Sequence, residues 1–330
     1  MSKGNKQSIS VIIPCFNADK HIKSCLDSVI ANLSESDELI VIDDGSHDKT
    51  NIILKSYRNK KLHIIQHTEN IGPSCARNEG AKKAVGDILL FLDADTEIEA
   101  ETLSTIRIFF TSHKDVGGIQ CELRLSDISL DSIGHFMTVF GFPYEVGVKE
   151  NSINYQNVRR IFGAKSAGMA VRHDVFQKVN GFDEDYLIYG EDTDLSWRIQ
   201  LAGYELKNLP GSIVYHHQKS SMTEETSMRV YYEGTKNNLN YILKNASFFT
   251  ALYMVPFHIA CWKLIGVKLL LQGKYQETFS IYKGFFWNIL HFSNTLQKRK
   301  KILRKSTVQI FGDLSIYKLF QKGWRWFTHV

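Results

Sequence analysis

Asp87-Ile88-Leu89-Leu90-Phe91-Leu92-Asp93-Ala94-Asp95-Thr96 holds five large apolar residues in a row that run into two aspartates. An apolar run without alternation reads as a strand buried on both faces, the mark of a central strand in a parallel sheet. Open α/β sheets bind ligands beyond the carboxyl ends of their strands, which is where Asp93 and Asp95 fall. Residues i and i+2 of an extended segment point the same way, so both carboxylates can face one cation or one polyol. Carboxylate oxygens suit Mg²⁺ or Mn²⁺, ions that commonly share their shell with substrate phosphates. The plain alternative is an ordinary strand end leading into a helix over Ile98–Phe110.

Working outward, the same pattern recurs. Ser8–Pro14 reads as a first strand, Asp19–Leu33 has a helical period, and Glu38–Ile42 is a second buried strand. Asp48 opens a helix, Leu62–Gln66 is a short third strand, and Ala76–Val85 is a helix entered from a Gly-Pro turn. Strands alternating with helices at this spacing mean βαβ units, hence an α/β fold with a mostly parallel, Rossmann-like sheet. Neither GxGxxG nor GxxxxGK[ST] follows the first strand, which excludes a dinucleotide dehydrogenase and a P-loop enzyme. Further on, Val116–Leu125 and Gly163–Val171 read as strands, Leu187–Ala202 contains a helix from about Glu191, and Ile213–Tyr215 is a short last strand. Long helical stretches follow from Ser227.

Each strand end carries unusual polar residues: Pro14-Cys15-Phe16-Asn17, Asp43-Asp44-Gly45-Ser46, Asn70-Ile71-Gly72 with Arg77, and Asp93-Ala94-Asp95. Turn and N-cap chemistry explains any one of these loops. Four of them on one edge describe a site of nucleotide size, in which Asp accepts from base or ribose and Arg77 meets phosphate.

These motifs, in this order, resemble the nucleotide-sugar glycosyltransferases of family 2, which have the GT-A fold. The resemblance continues through Gly181-Phe182-Asp183-Glu184 and Gly190-Glu191-Asp192-Thr193-Asp194-Leu195-Ser196-Trp197-Arg198, and covers roughly residues 8–220. It implies a donor site from Pro14, Phe16, Asn17, Asp43, Asp44, Gly45, Asn70, Arg77, Asp93 and Ala94. In it Asp44 meets the base, Asp93 the ribose, and Asp95 the divalent metal (Mn²⁺ or Mg²⁺) on the diphosphate. Asp192, with Glu191 next in line, is the implied general base, and the reaction inverts the anomeric carbon. His216 is the implied further metal ligand, with His217 the alternative; a histidine ligand tilts the choice toward Mn²⁺. The expected activity is transfer from a UDP-, dTDP- or GDP-linked sugar to a glycan or lipid-linked acceptor in cell-surface polysaccharide or glycoconjugate synthesis. Two rivals are a sugar-1-phosphate nucleotidyltransferase, which lacks its Gly-rich loop here, and a non-catalytic glycan- or lipid-binding protein on the same scaffold.

Composition divides the chain. Residues 1–218 carry 23 basic and 30 acidic residues, a net −7, whereas residues 219–330 carry 17 and 5, a net +12. The expected organisation is a catalytic domain over 1–225, with a nucleotide half over about 8–110 and an acceptor half over 111–225. A helical extension, 226–330, follows. Five scattered cysteines without CxxC spacing, and no apolar leader, fit a reducing cytosol. The extension mixes Phe285-Phe286-Trp287, Lys298-Arg299-Lys300-Lys301 and Trp324-Arg325-Trp326-Phe327 with a long apolar stretch over 246–272. Pro256, His258, Lys263 and Lys268 interrupt that stretch, so it reads as lying on an anionic membrane surface, at the cytosolic face, rather than crossing it. Packing on the catalytic domain or self-association is the alternative, and no nucleic-acid-binding motif is present. Truncation after about residue 245 is expected to leave a soluble domain.

Overall fold

The computed structural model describes residues 7–125, 127–217 and 224–308; Trp324-Arg325-Trp326-Phe327 lies outside them. Strands β1 (Ile9–Cys15), β2 (Glu38–Asp43), β3 (Leu62–Gln66) and β4 (Ile88–Leu92) alternate with helices α1 (Ile22–Asn32), α2 (Thr50–Ser56) and α3 (Pro73–Lys83). All four strands run parallel in the order β3-β2-β1-β4. All five residues of β4 are buried, as expected of a strand covered on both faces. Leu90 and Leu92 pack with the α1 side of the sheet, while Leu89 and Phe91 pack with the α3 side.

Beyond β4 the sheet becomes mixed. It continues through β5 (Thr96–Ile98), α4 (Thr102–Ser112), β6 (Val116–Arg124), β7 (Leu130–Ser132), the small hairpin β8 (His135–Met137) and β9 (Pro143–Glu145), and β10 (Gly168–Arg172). The chain between β6 and β10 lies above the carboxyl edge, so β10 enters from that edge and pairs antiparallel with β4, Gly168 opposite Leu92. The expected strand over Gly163–Val171 therefore starts only at Gly168; Gly163 makes an isolated bridge to His135. After α5 (His173–Lys178) and α6 (Glu191–Leu201) comes β11 (Glu205–His216). It is four times longer than the three residues expected from the sequence, because a register break between Leu209 and Ile213 hides its continuity. The helix expected over Ile98–Phe110 begins only at Thr102, since β5 intervenes and pairs antiparallel with β11.

Four helices complete the described chain: α7 (Glu224–Asn245), α8 (Phe248–Leu271), α9 (Tyr275–Leu290) and α10 (Phe292–Lys301). They are built onto the catalytic sheet. Tyr241 and Ile242 of α7 pack with Trp197, Tyr186 and Phe162. Lys244 pairs with Asp183 and Asp194, and Asn245 donates to Asp194. α9 crosses α7 so closely that a Cβ at Gly284 would lie 2.9 Å from Lys236 N and Tyr232 O. Lys298 of α10 returns to Asp183 and Asp185, at 2.5 and 2.6 Å. The Arg299 and Arg304 guanidiniums donate to carbonyls at the end of α7. Lys298 thus ties α10 to the catalytic unit while Arg299 and Arg304 tie the segment to the end of α7, and Lys300, Lys301, Arg304 and Lys305 are exposed in the segment expected to face lipid. Truncation at residue 245 would remove Lys298 from Asp183 and leave that carboxylate paired with Lys244.

α8 is the one helix among the described residues long and apolar enough to cross a membrane by length and composition, and a third of its most apolar window is buried. Its inward stripe, Met254, His258, Trp262, Ile265 and Leu269, packs on the protein. His258 is fully buried, accepts from Trp262 Nε1 (3.0 Å) and sits 2.8 Å from Phe140 O, and burial lowers its pKa to about 4. The outer surface stays apolar and exposed: Phe249, Leu252, Phe257 and Leu264 on α8, and Phe279, Phe286 and Ile289 on α9. Trp287, expected to anchor in lipid, is half-buried and stacks on His291.

Candidate active site

A cleft of about 990 Å³ opens at the carboxyl ends of β1 and β4 and is closed by α6, α7 and α8. On the nucleotide side, the loops after β1 and β2 are laced together. Asn17, at a left-handed φ of 51°, accepts from His47 N (2.8 Å), and its own N–H donates to Ser46 Oγ (2.9 Å). Asp43 and Gly45 lie in the turn behind the wall, where Asp43 Oδ1 accepts from Ser46 N (3.0 Å); neither lines the cleft. Asp44 does, but its buried carboxylate is largely engaged, accepting from Ile71 N (3.0 Å) and Gly72 N (2.9 Å), with His67 Nδ1 at 2.8 Å. Gly72 is the residue type that tolerates its φ of 91° there. Burial alone would lower the pKa of His67, but its bonds to Asp44 and Glu79 outweigh that and raise it. Pro14, Phe16, Asn70 and Ala94 line the same wall.

Arg77, on the first turns of α3, is buried and spans the floor. Its Nη2 donates to Asp93 Oδ1 (2.7 Å) and its Nη1 to Glu191 Oε1 (3.2 Å). It thereby ties the end of β4 to the start of α6. Burial, reinforced by the neighbouring Asp192, raises Glu191 to about 7 against the pull of Arg77. Asp192 is less buried and faces the cleft; its Oδ1 accepts from Thr193 N (2.6 Å). Thr193 Oγ1 also lies 3.2 Å from His135 Nε2.

Asp93, Asp95 and His216 come together, with one ligand atom from each within 4.8 Å of the others. Sheet register explains this. β5 and β11 pair antiparallel with His216 opposite Thr96, the residue after Asp95. The His217 N–H then donates to Asp95 O (2.9 Å), while its ring turns away to Glu97 (3.1 Å). His216 Nε2 lies 3.5 Å from Asp95 Oδ1, and its Nδ1 lies 2.9 Å from Asp131 Oδ2. Burial would lower the His216 pKa, but the hydrogen bonds to Asp131 and Asp95 raise it to about 9. Burial would likewise raise Asp95, and His216 holds it below its ordinary value instead. Two carboxylates and an imidazole form a donor set that fits Mn²⁺.

Several cleft groups were not singled out from the sequence: His135, Glu145, Lys165, Thr193, Arg229 and Trp262. Glu145 and His135 lie on three-residue strands, too short to show a period. Arg229 and Trp262 sit on helices that looked like an appendage.

The profile described as Glycosyl transferase family 2 matches residues 10–145, and that described as Glycosyl transferase family group 2 matches 88–296, more than half the chain. Similar curated proteins include a glycosyltransferase, GlyA, of Streptococcus pneumoniae, 26% identical over 65% of this chain and 31% of the relative. The poly-β-1,6-N-acetyl-D-glucosamine synthase of Staphylococcus aureus is 27% identical over 62% of this chain and 48% of its own length. The chain thus spans about a third to a half of the length of these relatives. Among solved structures, S. aureus TarS with UDP-GlcNAc superposes with a TM-score of 0.58 at 18% identity, covering 96% of this chain and 92% of that one. The mannosyltransferase PcManGT of Pyrobaculum calidifontis, with GDP-Man and Mn²⁺, gives 0.57 at 15% identity, covering 91% and 86%. These similarities establish a shared GT-A fold.

Proposed function

Because the chain belongs to the family 2 glycosyltransferases, we propose that its cleft moves a sugar from a nucleoside-diphosphate donor to an acceptor hydroxyl with inversion at the anomeric carbon. The observation that carries this reading is the Asp93–Asp95–His216 cluster on the same cleft as Asp192. The nucleoside lies against the β1, β2 and α3 loops, near Asp44, Asn70 and Asp93. Asp95 and His216, grouped with Asp93, would hold a divalent cation, and the donor set fits Mn²⁺ best. Once bound, that cation supplies Lewis-acid stabilisation to the departing diphosphate. Asp192 takes the proton of the acceptor hydroxyl as its oxygen bonds to the anomeric carbon and the carbon–diphosphate bond breaks. Glu191, turned inward to Arg77, positions the floor of the site, so the base assignment stays with Asp192.

The donor class is a UDP-, dTDP- or GDP-sugar; the acceptor is a glycan or lipid-linked saccharide of cell-surface polysaccharide or glycoconjugate synthesis. The test is a donor screen with purified protein, Mn²⁺ and a panel of sugar nucleotides, read as released nucleoside diphosphate. Turnover with one donor class is expected, and Asp95→Ala or EDTA should abolish it. Full activity in EDTA refutes the metal assignment.

In this reading residues 1–225 belong to the catalytic unit and 226–330 to the extension, whose described part, up to residue 308, is helical and braced on it. The apolar outer face of α8 and α9, flanked by exposed Lys263, Lys274 and Lys283, rests on the cytosolic leaflet of an anionic membrane. Each Lys or Arg near such a surface contributes about 1 kcal/mol. Full-length protein should float with anionic liposomes and far less with neutral ones. Added salt should weaken this attachment without abolishing it, because apolar burial is unscreened. A protein that ignores both liposomes but elutes as a dimer assigns that face to self-association.

A further inference from the structure

We infer that Asp131 is a positioning residue for the metal cluster, acting through His216, with Lys165 as its counter-ion; this rests on the metal reading above. Asp131 lies on β7, which pairs with one edge of β6, while His216 ends β11 on the other edge. The two side chains meet, with Asp131 Oδ2 2.9 Å from His216 Nδ1. Asp131 is itself 4% exposed, so its carboxylate is a poor place for a charge unless something pairs it. Lys165 does so from the segment before β10, its Nζ 3.2 Å from the same Oδ2 and 3.3 Å from Glu145 Oε2.

The chemistry follows from which ring nitrogen is engaged. A carboxylate can only accept, so it selects the imidazole tautomer that carries its proton on Nδ1. The lone pair is then on Nε2, the nitrogen turned toward Asp95. An outer carboxylate of this kind fixes the orientation of a ligating ring and raises its basicity, and its loss typically weakens metal binding about 10–100-fold. Lys165 meets the same oxygen as the histidine, Oδ2, and as its counter-ion holds the carboxylate in place. No element of the sequence pattern marks Asp131: it stands in Leu130-Asp131-Ser132, a three-residue strand.

The experiment uses the full chain and Mn²⁺ alone, with free Mn²⁺ measured by EPR, so no donor or acceptor has to be known. Asp131→Asn, nearly isosteric, and Asp131→Ser are both made, and either one that melts like the wild type decides the matter. The expected result is Mn²⁺ affinity about 10–100-fold below wild type. His216→Ala should also bind weakly, and adding Asp131→Asn to it should weaken binding no further, because a residue that acts through His216 has nothing left to act on. Wild-type affinity in a folded Asp131 variant overturns the inference and leaves the metal reading standing. So does a further loss in the double variant, which would mean that Asp131 acts on the ion directly. No bound Mn²⁺ in the wild type overturns the metal reading itself, and the inference with it.

Discussion

Asp192→Asn should lower kcat by roughly 10²–10⁴-fold, the usual contribution of a positioned general base, with donor affinity nearly unchanged. Asparagine keeps the size of the side chain and the bond its oxygen accepts from Thr193 N, so the fold at the start of α6 should survive. What it loses is basicity. The check is single-turnover transfer beside donor binding by calorimetry. A donor Kd that rises in step with the loss of rate would show that Asp192 serves binding rather than proton transfer. Glu191→Gln provides the contrast. Glu191 is buried against Arg77, so its amide should disturb the floor of the cleft and alter donor binding as well as rate.

The second large effect concerns stability. Arg77→Met should destabilise the protein by about 3–5 kcal/mol, the range seen when one partner of a buried ion pair is removed. Arg77 is 4% exposed, bonds Asp93 and Glu191 at once, and stacks 5.7 Å above the Phe182 ring. Methionine replaces the packing and none of the charge, which leaves Glu191 buried without a counter-ion. Urea unfolding of the wild type and the variant measures the difference. A loss under about 1 kcal/mol would mean that Glu191 simply takes up a proton, which its pKa of about 7 makes easy. The double variant Arg77→Met/Glu191→Gln should recover part of the loss, since the uncompensated charge is gone.

The nucleotide half was legible in the sequence for a definite reason. β1, β2 and β4 are buried on both faces, so each writes a mostly apolar run, broken only by Ser10 in β1, and each stops at a polar loop. The acceptor half was not. Asp131, His135, Glu145 and Lys165 sit on segments too short for any period, held by contacts far away in sequence. β11 was underestimated because Pro210-Gly211 falls inside it and resembles a turn. The extension misled for another reason. Glu233, Lys236, Asn237, Asn240, Lys244 and Asn245 of α7 look like a solvated face, yet all are at most 5% exposed. Four of them reach carbonyls or carboxylates of the catalytic unit: Asn237 donates to Ile188 O and Tyr189 O, Lys236 to Asp185 O, Lys244 pairs with Asp183, and Asn245 donates to Asp194, while Asn240 accepts from Tyr186 Oη and Glu233 pairs with Lys236 inside α7. A polar helix face therefore marked a docking surface here, where polarity alone reads as exposure to water. The basic residues divide in the same way, with Lys298 engaged by the catalytic unit and Arg299 by α7, while Lys300, Lys301, Arg304 and Lys305 are exposed.

The pairing of β5 with β11 has a consequence for the nascent chain. β5 follows β4 directly in sequence, but its partner in the sheet is β11, the last strand among the described residues, about 120 residues downstream. At about 5–20 residues per second, the ribosome needs roughly 6–24 s to deliver His216 after Asp95 has emerged. During that interval the β1–β4 layers can form and cover their apolar faces, yet the turn at Asp93–Asp95 has no strand to hold it. On the metal reading proposed above, a growing polypeptide would lack His216, and with it the complete cluster with Asp93 and Asp95, until this pairing forms.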